Sequence, residues 1–388
     1  MKIGVVGLGK LGLPLAVVVA SGGRAVVGVD VDARIISLVS QGIAPFYEPG
    51  LKDMLSLYRR QIQATVDYGA LSECNPIFYV VPTPSEPDGS FSLAYLEQAL
   101  VAGYAAAPDA VHVVVSTVLP GDMRKLHEKL PGATLVYNPQ FIALGSVIRD
   151  LQEPDFLLLG GEIRAVPGAV REVFGFLHPT PFRVMTWEEA ELTKIAINMF
   201  LTMKISFANM LGLACSHLDA DVDAVTGAIG LDRRVGPALL KAGAPYGGPC
   251  LPRDNAAMNS VMQRLGVKTF LPAAVDALNR EITEHILTAV LNNTLPGQTV
   301  ALLGLSYKLG TDNTEESLAS HLAVRLRERQ RHIGELNQAD AVVLCLPDFA
   351  YWGIDFGDKI VIDPWRVLRE VPPKRWIPLG LSKELAHA

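Results

Sequence analysis

Residues 2–30 read KIGVVGLGKLGLPLAVVVASGGRAVVGVD, and this stretch decides the fold. An apolar strand from Lys2 to Val6 runs into GLGKLG, with glycines at Gly7, Gly9 and Gly12, and then into an apolar helix from Leu13 to Ala20. A strand followed by a tight glycine turn and a helix aims the helix N-terminus, with its unpaired N–H groups, at a pyrophosphate. A second strand, AVVGVD, ends in Asp30, about 20 residues beyond the glycines, where a carboxylate would bond the adenosine ribose hydroxyls. That charge repels a 2′-phosphate, so the expected cofactor is NAD rather than NADP.

Further strands are expected at Ile77 to Val81, Val111 to Ser116, Thr134 to Tyr137 and Phe156 to Gly160, with helical patterns between most of them. Their continuous apolar character is that of strands buried on both faces, which predicts a doubly wound α/β domain on a parallel, Rossmann-like sheet. Ligands of such sheets bind beyond the carboxyl ends of the strands. Three polar segments fall there: VPTPSEP from Val81, STVLPGD from Ser116 and NPQF from Asn138. Thr83 and Thr117 are candidate donors to the nicotinamide or ribose, although either could equally be a strand-end or helix-capping residue.

From Trp187 the pattern turns helical, with apolar residues at spacings of three and four and no breaker before Gly212. Lys194, Asn198 and Asn209 occupy its polar positions, and Lys194 and Asn198 are one turn apart. Such a pair could donate to a reacting oxygen, or simply belong to a solvated face. Farther on, PYGGPCLPRDN spans Pro245 to Asn255. Prolines fix the backbone around Cys250, two glycines let main chain approach a ligand, and Arg253 and Asp254 follow within a turn. A thiol beside a fixed cation ionises more readily, and the thiolate is the nucleophile. Cys250 is therefore the candidate for covalent chemistry, against the alternative of a small buried hydrophobe.

The chain has 388 residues, 49% of them hydrophobic, and is too long for a single core. The expected division is a Rossmann NAD-binding domain over 1–186, a central helical dimerisation domain carrying the Cys loop over 187–295, and a smaller α/β domain over 296–388. Strands at Thr299, Ala341 to Leu346 and Lys359 to Asp363 build the last of these. A net charge of −6 without a basic cluster excludes nucleic acid as the expected partner. Apolar runs are broken by Gly, Pro or charge, so no membrane association is expected. Cys74, Cys215, Cys250 and Cys345 lie far apart without metal-ligand spacing, so no metal site is expected, and with no secretion leader a reducing cytoplasm fits.

Taken together, GLGKLGLPLA, the VPTP and STVLPG loops, NPQF followed by GSVIRD, AELTKIAIN with Lys204 beyond it, GLDRRVG, YGGPCLPRDN and GLSYKLGTDN resemble the UDP-glucose/GDP-mannose dehydrogenase family. The resemblance runs from residue 1 to about 329. It implies an NAD-dependent oxidation of the C6 alcohol of a nucleotide sugar, with UDP-glucose or another UDP-hexose expected, to the uronic acid, by way of a thiohemiacetal and a thioester on Cys250. It implies that Lys194 stabilises oxyanions at C6, with Asn198 beside it and Asp254 orienting water or modulating the lysine. Thr117 and Gln140 fall at the reacting end. Lys10, Leu11 and Arg253 join Gly7, Gly9, Gly12, Asp30, Thr83 and Thr117 around the cofactor. Phe141, Lys241, Tyr246, Gly247, Lys308 and Arg366, together with Lys194 and Asn198, fall at substrate positions. Arg234 matches a residue that reaches the neighbouring subunit's sugar, which implies a homodimer.

The chain departs from the family pattern at several points. Gln140 and Leu144 stand where the family usually has two glutamates, so the usual carboxylates for activating the hydrolytic water are absent. Glu315 replaces a common arginine. After the helix ending near Arg329, RHIGELNQ leads directly to ADAVVLCLP, roughly two elements short, so the C-terminal domain is expected to be shortened. Two other readings follow: a two-electron oxidation that stalls as aldehyde or thioester, and a non-catalytic nucleotide-sugar or NAD-binding protein.

Overall fold

The computed structural model describes residues 1–162, 165–175 and 180–381. The elements run, in chain order, β1 (Lys2–Val6), α1 (Gly12–Ser21), β2 (Ala25–Val29), α2 (Ala33–Ser40), α3 (Leu51–Tyr58), β3 (Ile62–Thr65), β4 (Cys74–Tyr79), α4 (Ala94–Ala106), β5 (Val111–Val114), α5 (Asp122–Lys129), β6 (Thr134–Tyr137), α6 (Val147–Gln152), β7 (Leu157–Gly160), α7 (Gly168–Phe174), β8 (Phe182–Met185) and α8 (Trp187–Cys215). They continue with α9 (Val222–Gly230), α10 (Leu251–Arg264), α11 (Leu271–Asn293), β9 (Thr299–Leu303), α12 (Leu318–Glu328), β10 (His332–Ile333), β11 (Ala341–Leu344), β12 (Ile360–Asp363) and β13 (Arg375–Pro378). The chain forms two compact units, Met1–Ala196 and Ile197–Ala388, that divide within α8.

The first unit is an eight-stranded sheet ordered β3-β2-β1-β4-β5-β6-β7-β8. Its order steps outward from β1 in both directions, the doubly wound pattern that leaves a crevice at the carboxyl ends of β1 and β4. One expectation is corrected here. The sheet is not wholly parallel, because β7 pairs antiparallel with β6 through Tyr137 and Gly160, while β7 and β8 are parallel to each other. The run LLLG of β7 is buried on both faces and so carries no mark of its direction. The edge strands β3 and β8 were not legible in sequence for the opposite reason: each has half-exposed positions that break the apolar run.

Apolar layers cover both faces of this sheet. On one side Ile3, Val5, Phe78, Val113 and Val136 pack against the apolar helix α1; on the other Val6, Ile77, Tyr79 and Val114 pack against α4 and α5. Buried under α4, the Tyr79 hydroxyl and His112 Nδ1 lie 2.7 Å apart. Burial pushes the His112 pKa down to about 4. A depressed imidazole pKa means that the unfolded chain takes up a proton that the folded unit refuses, so stability is full above pH 6.5 and is lost as pH falls toward 4. We expect wild-type protein to lose about 2–3 kcal/mol from this group between pH 7 and 4.5. Urea unfolding of wild type and His112→Gln at both pH values checks this, since the difference between them isolates His112 from the other titrating groups.

The second unit is a five-stranded parallel sheet ordered β10-β9-β11-β12-β13, covered by α11 and α12 on one face. RHIGELNQ supplies only the two-residue edge strand β10 and a single 3₁₀ turn at Leu336–Gln338 before β11 begins. α8 is long and apolar enough by length and composition to cross a bilayer. Yet its charged and amide groups Glu191, Lys194, Asn198 and Asn209 are buried and hydrogen-bonded to protein groups, as in a core helix.

Candidate active site

In the first unit the glycine turn is shaped by contacts that no larger residue would allow. Gly7 sits at φ +90°, and a Cβ there would lie 2.6 Å from the Val80 carbonyl oxygen. A Cβ on Gly12, the first residue of α1, would overlap the Gly7 carbonyl. Gly9, by contrast, faces open space with no protein atom within 4 Å of its Cβ position. The turn thus fits a dinucleotide: two glycines close the backbone and the third leaves room for a phosphate to approach. Lys10 is exposed, Leu11 is half-buried, and no acidic residue occupies the first turn of α1. Asp30 is held at the end of β2, with Oδ2 accepting from Leu8 N at 2.7 Å and Oδ1 from Asp32 N at 2.9 Å. Both oxygens keep lone pairs for ribose hydroxyls.

Thr83 and Thr117 are joined directly, because the Thr83 hydroxyl donates to the Thr117 carbonyl at 2.8 Å. Ser116 Oγ donates to the Val81 carbonyl at 2.7 Å, so the two site loops form one hydrogen-bonded rim. Beyond β6, Gln140 is buried, and its Nε2 donates to Asn138 Oδ1 at 2.7 Å and to the Asn138 carbonyl at 3.3 Å. Asn138 is in turn fixed by donating from Nδ2 to the Leu158 carbonyl. A carboxylate at position 140 would face two acceptors there, so the amide suits this pocket. Lys194 Nζ donates to the Gln140 carbonyl at 2.8 Å and lies 5.2 Å from the centre of the Phe141 ring. Lys194 is only 8% exposed, which removes the reading of a solvated helix face.

In the second unit Cys250 is exposed, whereas Cys74, Cys215 and Cys345 are all buried. Burial raises the thiol pKa values of those three, to about 11 for Cys74 and about 12 for Cys345. Cys250 is the N-cap residue of α10, with Pro252 in the first turn, and its carbonyl accepts from Asp254 N at 2.8 Å. A helix N-terminus favours an anion. Asp254 is buried, with Oδ2 accepting from Asn198 Nδ2 at 2.6 Å and Oδ1 lying 3.4 Å from Arg253 Nε. The structure therefore brings Asn198 and Asp254 together a turn from the thiol. The two glycines before Cys250 admit no side chain: a Cβ on Gly247 would overlap the Glu316 carbonyl, and one on Gly248, at φ +82°, would lie 2.5 Å from the Tyr307 ring.

The remaining candidates divide into exposed and committed groups. Arg234 is 89% exposed at its side chain and pairs with nearby Asp232 at 2.6 Å; Lys241 is exposed too. Lys308 is half-buried, 5.9 Å from the centre of the Tyr307 ring, and Glu315 is exposed while its carbonyl accepts from Gly248 N. Tyr246 is buried, exchanging backbone hydrogen bonds with the Asn279 side chain. Arg366 lies where a cation meeting cofactor or substrate was expected, but its guanidinium is engaged inside the protein. It makes five hydrogen bonds, two to Asp223 and one each to the carbonyls of Ala242, Pro364 and Leu379.

Sequence reading missed two groups that hold these loops, Glu191 and Glu48, and named Asn209 and Lys204 without their partners. Glu191 on α8 accepts from Gly121 N and Met123 N, both at 2.7 Å. Glu48 accepts from Gly145 N and Val147 N, both at 2.8 Å, behind the NPQF loop. Asn209 accepts from Gly243 N and donates to the Ala244 carbonyl ahead of the Cys loop. Lys204 holds the GLDRRVG turn through the carbonyls of Val235 and Gly236. Their partners are main-chain groups far away in sequence, so no spacing betrays them.

Comparison with known proteins agrees with this geometry. Residues 1–178 match the NAD-binding domain of the UDP-glucose/GDP-mannose dehydrogenase family, and residues 188–281 match its central domain. The UDP-glucose 6-dehydrogenase AglM of Haloferax volcanii is 34% identical over 82% of this chain and 79% of its own. A solved UDP-glucose dehydrogenase from Pyrobaculum islandicum superposes with a TM-score of 0.89 at 30% identity, covering 97% of this chain and 96% of that one. The UDP-D-ManNAc dehydrogenase of Pyrococcus horikoshii, at 24% identity and TM-score 0.86 over the whole of both chains, shares the fold. A glycine turn fitted to a dinucleotide, a single exposed thiol and matches along nearly the whole chain lead to one conclusion: this chain belongs to the UDP-glucose/GDP-mannose dehydrogenase family of NAD-dependent nucleotide-sugar dehydrogenases.

Proposed function

We propose that the protein oxidises the C6 alcohol of a UDP-hexose, UDP-glucose foremost, to the uronic acid in two successive two-electron steps. The observation that carries this reading is the state of Cys250: an exposed thiol at the N-cap of α10, next to a buried Asp254 held by Asn198. NAD⁺, held by the glycine turn and Asp30, supplies the hydride acceptor in each oxidation. Cys250 captures the first product, the C6 aldehyde, by forming a C–S bond, which gives a thiohemiacetal with one hydride still to lose. Loss of that hydride leaves a thioester, and water then breaks the C–S bond to release the carboxylate and restore the thiol. Lys194 would steady the negative oxygen at C6, and Asp254 would orient the water or modulate the lysine. Arg253 would lie near the cofactor, and Phe141, Lys241, Tyr246, Gly247 and Lys308 would contact the nucleotide sugar. The Cys250 thiol must stay reduced to react, which supports a cytoplasmic setting.

A homodimer completes the reading. Phe200, Phe207 and Met210 are exposed and recur at spacings of seven and three on α8, so they form an apolar stripe suited to a partner helix. Arg234, exposed and paired with nearby Asp232, would then reach the other subunit's sugar.

Purified protein given NAD⁺ and, in turn, UDP-glucose, UDP-GlcNAc, UDP-ManNAc, GDP-mannose and TDP-glucose is expected to make NADH with a UDP-hexose, two per sugar consumed. NADH from none of the five would overturn the reading. Gln140 gives the stalled alternative its footing, because its amide donates twice to Asn138 and accepts no proton. One NADH per sugar, or a stable adduct on Cys250 by intact mass, would favour that version.

A further inference from the structure

Glu191 is completely buried on α8 and takes no part in the chemistry proposed above. Its two oxygens accept, one each, from Gly121 N and Met123 N. Gly121, at φ +93°, is the N-cap of α5, and both N–H groups belong to the turn where the Thr117 loop enters that helix. The other side of the loop is fixed by Thr83 on the Thr117 carbonyl and by Ser116 on the Val81 carbonyl. Between these anchors Val118 and Leu119 are buried, so Thr117 is the loop's half-open point. Three residues farther along α8, Lys194 holds the Gln140 carbonyl. One helix therefore fixes two separate site loops, the first through a carboxylate and the second through an amine.

We propose that Glu191 is a positioning residue, whose ionised carboxylate clamps the Gly121 and Met123 amides and thereby sets Thr117 for its work beside the cofactor. The proposal rests on the reading that Thr117 serves the reaction, but the clamp itself can be tested without turnover.

The clamp needs charge, because a protonated carboxyl offers one good acceptor and one donor where two acceptors are required. Burial raises the Glu191 pKa to about 7, against the lowering effect of its two backbone hydrogen bonds. Asp122 on α5 and Glu188 on α8 add like-charge repulsion. Each has a partner, however, Lys125 for Asp122 and Arg124 for Glu188. The clamp should therefore hold above neutrality and release on mild acidification.

With the sugar that wild type oxidises, Glu191→Gln is expected to lower kcat about tenfold or more, with the sugar KM within about twofold, because its amide sets a donor against one of the two N–H groups. The acid limb of the wild-type kcat profile, near pH 7, should vanish in Glu191→Gln and return in Glu191→Asp. Wild-type kcat in Glu191→Gln, or the same acid limb in both, would overturn the proposal. Hydrogen exchange on the wild-type protein decides independently of activity and of how the variant folds. After correction for intrinsic rates, the amides of 119–123 are expected to lose at least about tenfold in protection between pH 8 and pH 6. Equal protection at the two pH values would overturn the clamp even if the enzyme is active. Loss of protection in a protein that oxidises no nucleotide sugar would leave the clamp standing and overturn the reading beneath it.

Discussion

Cys250→Ala is expected to abolish acid production, leaving less than about a thousandth of wild-type turnover, while the protein folds and binds NAD as before. The side chain is exposed at a helix N-cap with no hydrogen bond of its own to the cap, so its removal costs little packing. On the proposed mechanism, what disappears is the bond that holds the aldehyde for a second hydride loss. Covalent capture divides a hard oxidation into two steps. Quantifying uronic acid and NADH in one reaction checks this. Acid formed at more than about a tenth of the wild-type rate would remove the covalent mechanism. Cys250→Ser should be nearly as inactive, because an unactivated hydroxyl is a weak nucleophile.

The second large effect should come from the opposite end of the chain. Gly12→Ala is expected to lower the melting temperature by about 10 °C or more and to abolish NAD binding, because the added methyl would overlap the Gly7 carbonyl. Neither partner can yield: Gly7 is fixed at φ +90° against Val80, and Gly12 begins a helix buried from Gly12 to Ala20. Gly9→Ala is the control. Its Cβ would meet no protein atom, so the fold should keep its stability and only cofactor affinity should fall. Thermal unfolding and titration with NAD⁺ on both variants distinguish the cases. Equal stability of Gly12→Ala and wild type would contradict the packing described here.

How far the sequence announced the molecule depended on whether a feature lay in consecutive residues. The glycine turn, β1, β2 and Asp30 were legible because each is a local requirement of backbone or charge. The central strands were legible because burial on two faces leaves a continuous apolar run. The edge strands β3, β8 and β13, with their half-exposed positions, were not, and the direction of β7 leaves no trace in its own residues. Among the candidate residues, Cys250, Lys194, Asn198 and Asp254 stood out by type and spacing. Glu191 and Glu48 did not, because an acidic residue on a helix or loop reads as surface until its distant backbone partners are known.

Arg366 was assigned from sequence to ligand contact, and the structure gives it a different importance. Residue 366 holds a left-handed backbone at φ +57°, and its head group joins Asp223 of α9, the Ala242 carbonyl ahead of the cysteine loop, and the Leu379 carbonyl after β13. Three segments remote in sequence thus share one buried cation, with Trp365 pressed against Gly243 beside it. The terminal sheet is on that account no detachable lobe: whatever loosens its last strands is transmitted to the segment that leads into the Cys250 loop.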